Sequence, residues 1–225
     1  MSGISIDELV RSRRKTIALV VQPDGRLVVR APLRTNRNLI EAFVASKADW
    51  IEKSRHKQHA KRKTLPQRRF MEGEHFWYLG QQYQLRMVQK QRSALQFDLA
   101  FTLAENALPQ ARKHFEGWYR EQARLYLTER VQYYAQIFNF KYRQVKITSA
   151  RTRWGSCSSC GTLSFSWRLI MAPPEIIDYV VLHELAHTLQ PNHSQQFWVL
   201  VQSLLPDYVD KRRWLKQHSQ QFHWD

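Results

Sequence analysis

The sequence predicts an α+β protein, with strands gathered in residues 1–106 and helices dominating residues 107–225. Three observations carry this. Period-two apolar alternation broken by turn residues recurs up to about residue 104. Beyond it, apolar residues at spacings of three and four run through 109–138 and 174–190. The second of those helices carries a His-Glu-x-x-His motif, a pattern that functions only on a helix.

In chain order, TIALVVQPDGRLVVRA at 16–31 reads as a hairpin. Ile17, Leu19 and Val21 alternate, Leu27 to Val29 answer them, and Pro23-Asp24-Gly25 supplies turn chemistry between them. Residues 36–63 read as one helix, with Leu39, Ile40, Phe43, Val44, Ala48, Trp50 and Ile51 on one face. Its end, KSRHKQHAKRK, is basic and lacks an apolar stripe, so it can meet a polyanion. Short strands follow at 76–79, 83–87 and 95–99, with Gly80 in a turn. Residues 1–106 are therefore expected to form a basic, mainly β lobe crossed by a helix.

Residues 107–225 are expected to form the second, catalytic lobe. A long helix at 109–138 has Pro109 in its first turn. Its apolar face is drawn from Phe115, Trp118, Tyr119, Leu125, Tyr126, Val131, Tyr134, Ile137 and Phe138. Strands are expected at 143–150 and 162–170. Pro173-Pro174 opens the helix at 174–190, and two short helices at 194–204 and 207–220 close the chain.

The net charge is +16. It is uneven: residues 1–70 hold 17 Lys/Arg against 6 Asp/Glu, leaving +11, and the rest hold 18 against 13, leaving +5. Such an excess suits either a nucleic-acid or other polyanionic partner, reached through the basic N-terminal region, or a merely solvated basic face. The start has no apolar run of leader type, and no stretch approaches the length of a membrane span. Two cysteines build no disulfide framework. A cytoplasmic protein without a membrane partner is expected.

The chemistry concentrates in YVVLHELAHTLQPNHSQQFW. His183 and His187 stand four apart, so both imidazoles lie on one helix face and can reach one ion. Glu184 is displaced by about 100°, beside the metal rather than on it, where it can take the proton of a bound water. Pro191-Asn192 should break the helix and turn the chain back, so that His193 can complete a three-histidine site. Such a site leaves a fourth position open for water, as catalytic zinc requires. With 9 His and 11 Glu in the chain, the five-residue motif would occur by chance roughly 0.02 times. Asp207 and Asp210 are other candidate third ligands, less well placed. Gln190 stands where the metzincin pattern needs glycine, so the motif is not of that type.

The stretch RTRWGSCSSCGTLSFSWRLIMAPPEIIDYVVLHELAHTLQPNHSQQFW resembles the YgjP-like metal-dependent hydrolases, small zincins related to the SprT-like and WLM metalloproteases. SRRKTIALVVQPDGRLVVRAP and Ala48-Asp49-Trp50-Ile51 extend the resemblance toward the N-terminus. It implies a zincin-like catalytic lobe with a small sheet beside the metal helix. It also implies zinc, or another divalent metal, on His183, His187 and His193, with Glu184 as the catalytic residue.

Four residues are candidates for holding substrate: Arg153, Trp154, Arg168 and Tyr179. The arginines suit a carboxylate or phosphate, and Trp154, before a Gly-Ser turn, can stack or simply pack. Tyr179 precedes His183 by one helical turn and either packs or polarises a substrate oxygen. Cys157 and Cys160 lack the second pair that a zinc ribbon needs. Trp214, His218, His223 and Trp224 resemble a packing stripe.

Three functions remain open at this level. A metallopeptidase would use the water activated by Glu184 on an extended polypeptide. A nucleotide hydrolase would turn the same site on a phosphoanhydride; the resemblance extends to pyrophosphatase activity on uridine triphosphate. A nucleic-acid-associated protein would carry the zinc only structurally, which Glu184 argues against, since a structural site needs no base.

Overall fold

A computed structural model describes residues 4–22, 24–64 and 68–222, with side chains of 60–64 left aside. Pro23 of the expected turn, His223 and Trp224 of the C-terminal stripe, and the side chains of 60–63 in the basic run lie outside the described residues. The fold is α+β, and the chain divides into two compact units, residues 1–65 and 66–225. That division falls well before the 106/107 boundary expected from sequence. The strands between 75 and 104 pack against the long helix that follows them, which places them in the second unit.

In the first unit β1 (Glu8–Ser12), β2 (Ala18–Val21) and β3 (Leu27–Pro32) form a sheet in the order β1-β3-β2. The expected hairpin is β2–β3; β1, which has no clear alternation, joins the other side of β3 in parallel. Gly25, at φ 87°, takes the left-handed conformation that its turn requires. Leu27, Val29 and Ala31, one face of β3, pack with Ile40, Val44 and Ile51. Those come from α1 (Arg37–Ser46) and α2 (Ala48–Thr64). The single helix expected over 36–63 is interrupted at Lys47, where the Ser46 hydroxyl donates to Phe43 O and the turn tightens.

The second unit opens with a four-stranded sheet of order β4-β5-β7-β6: β4 (His75–Tyr78), β5 (Gln81–Val88), β6 (Leu95–Asp98) and β7 (Ala100–Ala104). Leu79 and Gly80 close the β4–β5 hairpin, both at positive φ as a two-residue turn demands. A Cβ on Gly80 would stand 2.8 Å from Pro173 Cα, so this turn fits only glycine against the start of the motif helix. A 3-10 turn at Glu105–Gln110 contains Pro109, and α3 (Ala111–Ile137) begins after it rather than at 109.

α3 is the spine of this unit. Its buried residues, Ala111, Phe115, Tyr119, Ala123, Leu127, Val131 and Ala135, recur every fourth position. A step of four turns a helix by about 40°, so the buried stripe winds around α3. Its first half meets Phe76 and Phe101 of the sheet, and its second half meets the motif helix. Leu125, Ile137 and Phe138, expected on the apolar face, fall off this winding stripe and are exposed.

β8 (Gln144–Thr148), β9 (Gly155–Cys157) and β10 (Thr162–Ser166) form the last sheet, in the order β8-β10-β9. The expected Gly-Ser turn is β9 itself, an edge strand antiparallel to β10. Residues 167–171 leave the strand expected over 162–170 as a buried 3-10 turn. α4 (Pro174–Ala186), α5 (Gln195–Leu204) and α6 (Tyr208–His218) complete the unit. No described helix is long and apolar enough to cross a membrane.

Candidate metal centre

α4 is apolar on nearly every side, the pattern of a core helix, and nine of its thirteen residues are buried. Pro174 at its first position suits a helix start, and Asp178 fastens it to α3 through two contacts with Arg130, at 2.7 and 2.8 Å. The helix ends at His187, earlier than the expected 190. The chain then turns through residues 188–192, and Ser194 caps α5 by accepting from Phe197 N. That reversal returns His193 to the helix face carrying His183 and His187.

The three histidines each offer a ring nitrogen, and these nitrogens lie within 4.8 Å of one another. Among the described residues this is the only such group of His, Cys, Asp or Glu side chains able to hold a metal ion. His183 Nε2 and His193 Nε2 are 3.1 Å apart. Two nitrogens bound tetrahedrally at zinc distances would stand about 3.4 Å apart, so the spacing fits. His187 Nδ1 lies 3.0 Å from Gln190 O. Donation to that carbonyl leaves Nε2 free as a ligand atom. Burial, with the neighbouring His187, His193 and Arg212, pushes the His183 pKa down to about 3, and burial lowers that of His193 too. Both rings are thereby kept neutral, the form that binds metal.

Glu184 is 5% exposed. Burial pushes its carboxyl up to about 8, opposed by the charge of Arg153. Its Oε2 and His183 Nδ1 are buried without a hydrogen-bond partner among the described residues. A buried carboxylate oxygen left unmatched in this way suits a site completed by a group from outside the chain.

The walls come from α5 and α6. Phe197, fully buried, stacks on His187 at 4.4 Å; Trp198 stacks on His193 at 5.5 Å. Tyr208 stacks on Trp198 from the far side, and the Arg212 guanidinium lies 4.7 Å over the Trp198 ring. Arg212 has no local sequence signal, since it meets Trp198 only through the packing of α5 on α6. Gly155 gave only a turn signal. A Cβ there would stand 2.4 Å from Glu184 Oε1 and 2.6 Å from its Cγ, so β9 can lie against Glu184 only as glycine.

The candidate substrate residues separate. Tyr179 is 5% exposed, with its ring 5.9 Å from that of His183, and burial pushes its phenol up to about 12. Arg153 is exposed, and its charge reaches Glu184. Trp154 is half-buried, edge-on to Phe222 at 6.1 Å. Arg168 is 4% exposed, lies over Trp167 and donates to Ser149 O, within the loop that leads to β9. Asp207 and Asp210 pair with Lys211 and Arg213, outside the histidine cluster. Cys157 and Cys160 are free thiols. Hydrogen bonds from Ser158, Thr162 and Arg143 bring that of Cys160 down to about 7.

Comparison with known proteins follows the same line. No curated protein matches the chain. A solved structure, the metallopeptidase zymogen abylysin of Pyrococcus abyssi, is similar over 42% of this chain and 97% of its own, at 20% identity and a TM-score of 0.38. The family model described as YgjP-like, metallopeptidase domain, matches residues 15–218. The chain that arranges these three histidines around Glu184 therefore belongs to the YgjP-like metallopeptidase-domain family.

Proposed function

We propose that the protein is a zinc peptidase in which His183, His187 and His193 hold the ion and Glu184 is the general base. The observation that carries this reading is the convergence of three neutral imidazoles beside a buried carboxylate whose outer oxygen has no protein partner. Zinc bound there would supply Lewis acidity, polarising a carbonyl and lowering the pKa of a water from 15.7 to about 7.

The chain's own residues do the rest. Glu184 accepts the proton of the attacking water as its oxygen bonds to the scissile carbonyl carbon. It then delivers that proton to the departing amine as the C–N bond breaks. β9 offers an edge against which an extended polypeptide pairs, and the close fit of Gly155 on Glu184 brings that edge up to the base. Arg212 contributes a fixed positive charge where the carbonyl oxygen becomes negative. Arg153, exposed beside Glu184, meets the substrate at its entrance.

The test compares wild type, Glu184→Gln and His193→Ala, each measured for bound zinc and for cleavage of an unfolded protein. Glu184→Gln keeps stoichiometric zinc and loses cleavage by about 100-fold or more. His193→Ala loses zinc on dialysis. Full activity in Glu184→Gln would end the mechanism, and stoichiometric zinc in His193→Ala would remove that residue from the ligand set. Release of pyrophosphate from uridine triphosphate by wild type, without peptide cleavage, would reassign the site to nucleotides.

A further inference from the structure

Beside His187 the surface opens into a cleft of about 850 Å³. Its floor is the turn joining β9 to β10, including Ser158 and Cys160, and its walls include Lys141, Arg143, His187 and Thr188. Two cations and three hydroxyl groups line it, and no Asp or Glu is among its described lining residues. Lys141 and Arg143 are exposed, and neither side chain has a salt bridge to a carboxylate among the described residues. The backbone behind them is fixed: Arg143 N donates to Gly161 O at 2.8 Å, and Gly161 N donates to Ser158 O at 2.9 Å.

The cleft lies in line with the edge strand. Gly155, at one end of β9, touches Glu184; Cys157, at the other end, lines the cleft. Two residues of extended chain span about 6.6 Å. A polypeptide paired with β9 and presenting its scissile bond at Glu184 would therefore enter the cleft about two residues farther on.

We infer that this cleft is a subsite for an acidic segment of polypeptide, whose Asp or Glu side chains are bound by Lys141 and Arg143 beside the metal centre. The inference rests on the peptidase reading only for making that segment part of a substrate. Specificity would come from charge: opposite charges in the cleft attract, and a lysine in the same place meets two like charges and no counter-ion.

The experiment reads binding without turnover. Zinc-loaded Glu184→Gln is titrated into a fluorescein-labelled peptide with a neutral centre flanked by glutamates, and into its counterpart with lysines. Fluorescence polarisation gives both affinities. The glutamate peptide is expected to bind tighter by about tenfold or more. Because the whole chain is cationic, that preference alone decides nothing. It is measured again with Lys141→Glu/Arg143→Glu added, and with Lys90→Glu/Arg92→Glu, an equal charge change at two exposed loop residues outside the cleft. Loss of the preference in the first pair and its survival in the second supports the subsite. Equal loss in both, survival in both, or displacement of the peptide by uridine triphosphate at far lower concentration than by free glutamate peptide would overturn it. Wild type is then given the same glutamate peptide. Binding with the cleft-dependent preference but no cleavage would sink the peptidase reading while leaving the acidic-segment site in place.

Discussion

At the scale of single residues, the centre depends on one group whose contribution is an absence. Gly155 does nothing chemical, yet the Glu184 carboxylate occupies the space where any side chain there would stand. Gly155→Ala should leave the histidines, and hence zinc binding, intact. It must push Glu184 aside or lift β9, at an overpacking cost of about 1–3 kcal/mol. Hydrolysis is expected to fall by about 100-fold with zinc stoichiometry unchanged, matching Glu184→Gln rather than His193→Ala. Steady-state kinetics and metal analysis on the purified variant check this. Wild-type kcat in Gly155→Ala would mean that the position of Glu184 is not what limits the reaction. The motif itself was legible from spacing alone, because His183 and His187 are one helical turn apart wherever a helix forms. The requirement at position 155 was not legible, since it is set by a residue 29 positions away.

At the scale of elements, α4 is held by partners that its own sequence does not name. Its apolar residues sit against α3, β9, α5 and α6. Its one polar fastening is Asp178 on Arg130, whose side chains are 16% and 22% exposed, with Tyr134 also in contact with Arg130. Asp178→Ala leaves a largely buried guanidinium without its carboxylate. The unfolding free energy should drop by about 1.5–3 kcal/mol, measured by urea titration with unchanged m-value. A loss under about 0.5 kcal/mol would show the pair to behave as an ordinary surface ion pair. Three residues of β9 could not announce a strand. Gly, Ser and Cys have little strand preference, and the segment is extended because β10 supplies its hydrogen bonds.

At the scale of the whole molecule, the charge is divided between the two units. The basic end of α2 belongs to the first unit, with Lys53 and Lys57 exposed on it. We propose that this unit binds nucleic acid electrostatically. The intact protein should then bind single-stranded DNA with an affinity that falls steeply with salt. Lys53→Glu/Lys57→Glu should reduce the slope of log K against log salt by about 1.4, two phosphate contacts at about 0.7 each. An unchanged slope would leave the basic end of α2 as a solvated face.

The sequence by itself determined what depends on near neighbours in the chain. The β2–β3 hairpin follows from alternation around Asp24-Gly25, the helices α3 to α6 from their periodicity, and the pairing of His183 with His187 from helical pitch. The family followed from residue patterns extending from the N-terminal hairpin to Trp198. Only the tertiary structure decided where the units divide, which face of α3 is buried and how the chain beyond α4 brings His193 back. It alone placed Gly155 against Glu184, Arg212 over Trp198, and Lys141 and Arg143 around the cleft beside His187. The physical reason is range: periodicity and capping act over one or two turns of chain, whereas steric fit, burial and charge act between residues that only packing brings together.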